Sequence, residues 1–284
     1  MQFLTLQRHG WSEPAVFAEG RTVGLRNAGF PDLLSVIGGG ADALDRVQRW
    51  AAGDPSDEPF DFDTTRVLAP IPHPPKIICI GLNYRDHAAE AKMALPEVPT
   101  VFAKYGNSVT GHRHPIVLHK NSVKPDYEAE LAVVIGRGGR HIPASAWRDH
   151  VFGYTILNDV SARDFQMATS QWTMGKTFDT FAPFGPTIVT ADEIEDPHAL
   201  AISLSINGDL LQNSNTSNLV FGVPRLIEFL SSVMTLSPGD IISTGTPAGV
   251  GFSHKPPRWL RPGDEVTVEI QGLGRLVNPV VAEG

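Results

Sequence analysis

Two glutamates, Glu128 and Glu130, are the residues whose types and spacing first indicate chemistry in this chain. They lie in residues 124–136, which predict a strand, and alternate side chains of a strand share one face. Their Cβ atoms would stand about 6.6 Å apart, since each residue adds roughly 3.3 Å. Apolar residues occupy both faces of the C-terminal half, which is typical of a buried strand. A carboxylate pair entering a buried region needs a counter-charge. The alternative is the solvated end of an edge strand.

A third carboxylate, Asp159, directly follows the next predicted strand. Asp159, Arg163 and Gln166 lie at positions i, i+4 and i+7, which form one face of a helix. A helix cap is the alternative role for this aspartate. Residues 171–186 are rich in glycine, proline and aromatic side chains and contain Lys176. That segment fits either the wall of a pocket or a packed surface loop.

His87 and Glu90 lie three residues apart on a helix predicted over residues 85–94, and therefore share a face. A histidine bonded to a glutamate can act as a general base, because the carboxylate fixes its tautomer and stabilises its charged form. The alternative is an exposed pair within the helix. Thr246 lies in the glycine-rich residues 243–251, which lack the lysine of a phosphate-binding loop. Those residues could offer N–H groups and hydroxyls to a carboxylate, or form a plain loop.

Composition excludes several classes of partner. Among 284 residues, 42% are hydrophobic and 19% are charged, as expected for a globular protein. The net charge of −8 comes without a basic block, so we expect no nucleic-acid partner. No run of eighteen apolar residues and no basic leader occurs, so we expect neither a membrane span nor a secretory signal. Cys79, the only cysteine, makes an intrachain disulfide impossible, and we expect a reducing, cytoplasmic setting.

The order of elements predicts an α+β architecture with two units. Residues 1–70 form a small N-terminal α/β unit, and residues 71–284 form the catalytic domain. Residues 53–59 read as a loop or linker between them. In the larger unit, Asn207-Gly208 predicts a hairpin turn. Residues 223–234 predict an amphipathic helix, with its apolar stripe at Leu226, Phe229, Leu230 and Val233.

Five segments, taken in order, resemble the fumarylacetoacetate hydrolase family over about residues 70–282. The segments are residues 81–90, 126–131, 158–164, 175–179 and 243–247. The leading unit and the loop around Lys176 look most like bacterial members labelled ureidoglycolate lyase or keto-acid isomerase. The resemblance implies a rolled mixed β-sheet with flanking helices, and a homodimer.

The same resemblance implies a divalent metal ion, Mg²⁺ or Mn²⁺, held by Glu128, Glu130 and Asp159. All three offer the hard oxygen ligands that these ions prefer. Three carboxylates about 5 Å apart repel by roughly 3 kcal/mol per pair at an effective dielectric constant of about 20. A cation is therefore needed if the three side chains converge.

The resemblance also assigns roles around the metal. Lys176 faces the ion and stabilises enolate charge, while His87 with Glu90 activates a water molecule. The candidate substrate-binding residues are Arg163, Gln166, Lys104 and Thr246. The fumarylacetoacetase branch of the family has an extra metal-binding aspartate just upstream of the histidine, whereas this chain has Cys-Ile-Gly-Leu at residues 79–82. This departure favours a smaller 2-oxo acid as substrate.

The main hypothesis from the sequence is hydrolysis of a C–C bond in an acylpyruvate or a related 1,3-dicarbonyl acid. A second hypothesis keeps the metal and the enolate but omits water: tautomerisation, isomerisation or decarboxylation of oxaloacetate-like acids. Ureidoglycolate lyase is a third, and a non-catalytic metal-binding scaffold is a fourth. We expect replacement of His87 by alanine to abolish hydrolysis and to spare decarboxylation, which needs only the metal and an electron sink.

Overall fold

The computed structural model describes residues 1–18, 20–53, 61–62 and 64–284. The predicted loop at residues 53–59 therefore lies, from residue 54 onward, outside the described residues. The strands, in chain order, are β1 (Gln2–Arg8), β2 (Trp11–Ala18), β3 (Arg21–Gly24), β4 (Val67–Leu68), β5 (Ile77–Gly81), β6 (Thr100–Lys104), β7 (Val109–Thr110), β8 (Ile116–Leu118), β9 (Pro125–Asp126), β10 (Ala129–Ile135), β11 (Val151–Asn158), β12 (Ser161–Ala162), β13 (Ala182–Thr190), β14 (Ala201–Ile206), β15 (Asp209–Asn215), β16 (Ile241–Ser243), β17 (Glu265–Ile270) and β18 (Gly274–Ala282).

The helices are α1 (Leu33–Gly38), α2 (Gly40–Gly53), α3 (Arg85–Ala91), α4 (Arg163–Gln166), α5 (Thr173–Lys176) and α6 (Val223–Val233). Short 3₁₀ turns, among them Gly251–Ser253, connect several elements. No helix in the described ranges combines the length and the apolarity needed to cross a bilayer.

Two β-sheets carry the fold. The larger sheet runs β3-β2-β1-β13-β11-β10-β16-β5-β6, and the smaller runs β15-β14-β17-β18-β8. In the larger sheet β16 pairs parallel with β5, whereas β10 pairs antiparallel with both β11 and β16. The predicted α+β class with a mixed sheet is therefore confirmed.

Strand β10 lies in the middle of the larger sheet, and all its residues are buried. Leu131 and Val133 pack in one apolar cluster, whereas Ala132 and Val134 pack in another. The sheet is thus covered on both faces at this point, as the apolar sequence of the strand predicts. Full burial of such a side chain stabilises the fold by about 1.5–3 kcal/mol. The strand is a rigid base for the carboxylates at its start.

The first three strands extend the larger sheet. β1 pairs antiparallel with β2 and also with β13, through Gln2 opposite Val189 and Phe3 opposite Ile188. Phe3 belongs to the same apolar cluster as Val134 of β10. The leading residues and the rest of the chain thus share a sheet and a core. The boundary at residue 70 stays a prediction, as does the homodimer.

Of four local features predicted from the sequence, two are present in the structure and two differ from it. Asn207 and Gly208 both have positive φ, 54° and 88°, and join β14 to β15 as predicted. Helix α6 also forms as predicted, but Val233 is 65% exposed and lies outside its buried stripe. Helix α3 ends three residues earlier than predicted, because Lys92 adopts a left-handed conformation and its N–H bonds back to Ala88 and Ala89.

Candidate active site

The carboxylates of Glu128, Glu130 and Asp159 converge. One oxygen of each lies within 4.8 Å of the other two. The register of two strands explains this, since the first residue of β10, Ala129, pairs with the last residue of β11, Asn158. The residues flanking these positions, Glu128 and Asp159, are therefore neighbours, and the Asp159 N–H donates to the Glu128 carbonyl at 2.9 Å. The structure thus brings together the three predicted metal ligands.

Three buried cations surround the carboxylates. The Lys176 ammonium donates to Glu128 Oε2 and to Asp159 Oδ2, each at 2.7 Å. Arg163 Nη2 lies 2.6 Å from Glu128 Oε1. Lys104 donates to Asp159 Oδ1 and to the carbonyl of Val160. Each of the three cations therefore contacts Glu128 or Asp159, whereas none of them contacts Glu130.

Lys104 does not line the cavity in front of the carboxylates. Its ammonium group is fully buried behind Asp159, where β6 ends. The prediction that Lys104 contacts the substrate does not fit this placement, because its side chain is fully buried and two of its three donors bond to Asp159 and the Val160 carbonyl. Lys104 instead holds the Asp159 carboxylate in place.

Asp126 is a fourth buried acid, and sequence reasoning missed it. It accepts hydrogen bonds from Arg163 Nε at 2.8 Å, from the Gly251 N–H at 2.7 Å and from the Phe252 N–H at 3.0 Å. Pairing of Ser161 with Asp126, between β12 and β9, brings this carboxylate beside Arg163. Its even-numbered spacing from Glu128 was the available signal, since it places Asp126 on the same strand face.

Glu130 differs from its neighbours because neutral groups hold it. Its Oε2 accepts from the Ser243 hydroxyl and, at 2.9 Å, from the Gly245 N–H. Burial, reinforced by the negative charges of Asp159 and Glu128, raises the pKa of Glu130 to about 8. Burial also acts against ionisation of Glu128, but the attraction of Arg163 and Lys176 outweighs it and holds that pKa at about 2. The two glutamates thus differ widely in acidity.

The donor set fits a divalent cation. Among the described residues of this cluster, four carboxylates face three cations. The carboxylates are Asp126, Glu128, Glu130 and Asp159, and the cations are Lys104, Arg163 and Lys176. The raised pKa of Glu130 marks the acid that lacks a cationic hydrogen-bond partner. A divalent ion held by Glu128, Glu130 and Asp159 would supply that charge, with the oxygen ligands that Mg²⁺ and Mn²⁺ prefer.

His87 and Glu90 lie in contact on α3, as their spacing predicts. His87 Nδ1 lies 3.4 Å from Glu90 Oε2, and the Glu90 carboxylate also accepts from the Gly249 N–H. Because a carboxylate accepts, we assign the proton to Nδ1, which leaves Nε2 as the basic atom. The Asp86 carboxylate accepts hydrogen bonds from the backbone N–H of His87 and from the Ser214 hydroxyl. The bond from Ser214 anchors α3 to β15.

His87 lines one cavity of about 180 Å³ together with two of the clustered carboxylates, Glu128 and Glu130. Its polar lining includes all the predicted catalytic and substrate-binding residues except Glu90 and Lys104: His87, Arg163, Gln166, Lys176 and Thr246. Arg163 Nη1 donates to Gln166 Oε1 at 2.9 Å, and Thr246 Oγ1 accepts from Gln212 Nε2 at 2.8 Å. Gln212 is a second residue that sequence reasoning missed, and it also accepts from the Ala129 N–H. The polar part of the cavity is therefore held by a connected hydrogen-bond network.

Known proteins resemble this chain in sequence over the region of the site. A family model described as fumarylacetoacetate (FAA) hydrolase C-terminal matches residues 76–281. Oxaloacetate tautomerase fahd2, mitochondrial, from Xenopus laevis is 52% identical over 217 residues, which are 76% of this chain and 68% of that protein. Oxaloacetate tautomerase FAHD2A, mitochondrial, from Homo sapiens is 48% identical over 216 residues, which are 75% and 69% of the two chains.

Solved structures resemble the whole chain. Fumarylacetoacetate hydrolase from psychrophilic Exiguobacterium antarcticum has a TM-score of 0.84 at 36% identity. Maleylpyruvate hydrolase from Sphingobium sp. SYK-6, in complex with manganese(II) ion and pyruvate, has a TM-score of 0.84 at 29% identity. Each match covers 100% of both chains. The family resemblance and the fold class predicted from the sequence are confirmed.

The cytoplasmic location predicted from the sequence is contradicted by the relatives. The Xenopus laevis, rat and human tautomerases all carry the description mitochondrial. The prediction rested on a single cysteine and on the absence of an apolar leader, and neither feature distinguishes between compartments that keep thiols reduced.

Proposed function

Because the chain is an enzyme of the fumarylacetoacetate hydrolase family, we propose that it interconverts the keto and enol forms of a 2-oxo acid of the oxaloacetate type. The names of the Xenopus laevis and human relatives support this reaction. Hydrolysis of an acylpyruvate, the main hypothesis from the sequence, is supported only at the level of the family. The tautomerase alternative is therefore the better founded of the two.

The observation that carries the proposal is that a histidine, a buried lysine and two glutamates of the carboxylate cluster line one small cavity. The third carboxylate, Asp159, accepts from that lysine. Tautomerisation breaks a C–H bond at C3 of the acid and forms an O–H bond at the C2 oxygen. His87 Nε2 is the group that takes the proton from C3 and delivers it to the C2 oxygen, and Glu90 stabilises the charged imidazole between the two steps.

Lys176 supplies positive charge where the enol oxygen develops. Burial alone would lower the pKa of this lysine, but the carboxylates of Asp159 and Glu128 outweigh it and raise that pKa above its usual value. Lys176 therefore stays an ammonium at neutral pH. A fixed cation in a site shielded from water stabilises a developing oxyanion strongly.

We propose a divalent ion, Mg²⁺ or Mn²⁺, at Glu128, Glu130 and Asp159. The buried carboxylate cluster supports it, as does the manganese(II) ion of the Sphingobium enzyme. When bound, such an ion acts as a Lewis acid toward the 2-oxo group. Gln166 and Thr246 are the residues we assign to the substrate carboxylate, while Arg163 positions Glu128 and Gln166.

The test is a direct assay of enol disappearance. Enol-oxaloacetate dissolved in an aprotic solvent is diluted into buffer, and its ultraviolet absorbance is followed while malate dehydrogenase and NADH report the keto form. We expect enzyme with Mg²⁺ or Mn²⁺ to accelerate both signals together. Equal rates with and without enzyme, in the presence of either ion, would refute the proposal.

Hydrolysis is the second candidate, and the contact between His87 and Glu90 favours it. That pair could activate water as well as remove a carbon-bound proton. The similarity to maleylpyruvate hydrolase points the same way. Acetylpyruvate distinguishes the reactions, because hydrolysis releases pyruvate and acetate whereas tautomerisation leaves the carbon skeleton intact. Release of carbon dioxide from oxaloacetate would reveal the decarboxylase alternative.

A further inference from the structure

Ser253 is a polar residue of the cavity to which the reaction described above gives no role. It lines the cavity together with His87 and Thr246. The Thr246 hydroxyl is held by Gln212, whereas the Ser253 hydroxyl has no hydrogen-bond partner among the residues that the structure describes. A hydroxyl group carries one donor and two acceptor positions. That of Ser253 is therefore available to a ligand in the cavity.

The turn that carries Ser253 is fixed by hydrogen bonds. Residues Gly251–Ser253 form a 3₁₀ turn, in which the Ser253 N–H donates to the Val250 carbonyl at 3.0 Å. The N–H groups of the first two residues of the turn both donate to the buried Asp126 carboxylate. The backbone of Ser253 is thus held in place before a ligand arrives, and such preorganisation lowers the entropic cost of binding.

The backbone segment that leads to Ser253 also contacts the pair that moves the proton. The Gly249 N–H donates to Glu90 Oε1 at 3.1 Å, and Glu90 Oε2 lies 3.4 Å from His87 Nδ1. Gly249 lies four positions before Ser253, and His87 and Ser253 both line the cavity. A substituent on C3, next to the proton that His87 removes, would therefore extend toward the segment that ends in Ser253.

Oxaloacetate differs from pyruvate by one carboxylate, which is bonded to C3. The C1 carboxylate and the 2-oxo group form the head of the acid, and Gln166, Thr246 and Lys176 are assigned to that head. The C4 carboxylate still needs a partner, because a carboxylate that enters a cavity without a hydrogen bond loses hydration free energy. Ser253 is partly exposed, so a carboxylate beside it accepts from the hydroxyl and keeps water on its outer side.

We propose that the Ser253 hydroxyl donates to the C4 carboxylate and makes the site selective for dicarboxylic over monocarboxylic 2-oxo acids. This inference rests on the proposed tautomerase function and deepens it, since it names the residue that recognises the second carboxylate. Ser253 contacts none of the reacting atoms, so it binds the substrate and the transition state alike. Loss of its hydroxyl should therefore raise KM and leave kcat nearly unchanged.

The experiment compares Ser253→Ala with the wild type, both loaded with Mg²⁺ or Mn²⁺. The enol assay gives KM and kcat for oxaloacetate, and pyruvate added as a competitive inhibitor reports the binding of the 2-oxo acid head alone. We expect Ser253→Ala to raise KM for oxaloacetate by about tenfold or more, the effect of losing one hydrogen bond to a charged group. The inhibition constant of pyruvate, which lacks the C4 carboxylate, should not change.

Three further variants test the cause. Ser253→Thr keeps a hydroxyl and should restore the KM of the wild type. Ser253→Asp places a negative charge beside the C4 carboxylate and should raise KM for oxaloacetate further than Ser253→Ala does. Ser145→Ala removes an exposed hydroxyl outside the cavity, and should leave both constants unchanged.

The outcomes separate this inference from the proposed function. An unchanged KM for oxaloacetate in folded Ser253→Ala and Ser253→Asp would overturn the inference and leave the tautomerase function standing. An equal rise in KM and in the inhibition constant of pyruvate would overturn it as well, because Ser253 would then shape the cavity without recognising the C4 carboxylate. A wild-type enzyme that accelerates neither signal of the enol assay would overturn the proposed function and this inference together.

Discussion

Asp126 and Arg163 form a buried ion pair in which the Asp126 carboxylate accepts from the Arg163 guanidinium at 2.8 Å. The same carboxylate accepts from the N–H groups of Gly251 and of Phe252, a residue that lines the cavity. Asp126 therefore links Arg163 to the segment that carries Phe252, although Asp126 itself is not among the residues that line the cavity. It acts as a positioning residue.

We expect Asp126→Asn to destabilise the protein by about 1.5–3 kcal/mol, the range for a hydrogen bond to a charged group, because Arg163 keeps Glu128 but loses its second carboxylate partner. Equilibrium unfolding in urea measures the change. The matched control is Asp196→Asn, which alters an exposed pair with His198 and should cost at most about 1 kcal/mol. Equal losses for the two variants would contradict the role of Asp126.

Metal should stabilise the folded protein through the three carboxylates. A ligand at about a hundred times its dissociation constant adds about 2.7 kcal/mol of stability when it binds only the folded state. We expect Mg²⁺ or Mn²⁺ to raise the melting temperature of the wild-type chain but not that of Glu130→Gln. The control is Glu265→Gln, an exposed residue at the start of β17, which should respond as the wild type does.

Metal binding should also depend on pH through Glu130. Its pKa of about 8 in the metal-free chain means that it is mostly protonated at neutral pH. The ion requires the carboxylate, so binding must release this proton. The apparent affinity for the metal ion should therefore rise with pH and level off above about 8.

Calorimetry in buffers of different ionisation enthalpy should show about one proton released per ion well below that pH and none well above it. A number of released protons per ion that does not vary with pH would argue against a protonated Glu130.

His87 and Glu90 on α3 should contribute unequally to catalysis. His87→Ala should lower kcat for tautomerisation by about 10²–10⁴-fold, the usual contribution of a general base. Glu90→Gln should cost less, because Nδ1 keeps an oxygen acceptor while the imidazolium loses a negative neighbour. Both are measured by the enol assay, with His198→Ala as a control. Full activity in His87→Ala would show that another group moves the proton.

The sequence predicted the parts of the site that depend on local order. Alternation along the strand predicted over residues 124–136 placed Glu128 and Glu130 on one face, and helical spacing paired His87 with Glu90. It did not reveal Asp126 as a partner of Arg163, or Gln212 as a partner of Ala129. Those contacts join residues 37 and 83 positions apart, and only strand pairing across the fold brings them together.

Two other differences between the predicted and the observed roles also arise from packing between distant parts of the chain. Lys104 has the charge expected of a substrate-binding residue, but the pairing of β6 with β5 turns it toward the buried side of Asp159. Asp159 is not a helix cap, since α4 begins four residues later after Ala162. In both cases the three-dimensional packing decides between roles that the residue type leaves open.

The pairing of β1 with β13 shields part of the backbone edge of β13 from other molecules. All nine residues of β13 are buried, and β11 covers only one side of its backbone. Deleting the first strands would expose the backbone edge of β13 at Ile188 and Val189, because β7 covers only Ala182 and Pro183. An unpaired edge of a buried apolar strand can pair with a strand of another molecule. A shortened chain that begins after residue 70 would keep every residue assigned to the site, yet we expect it to aggregate during expression.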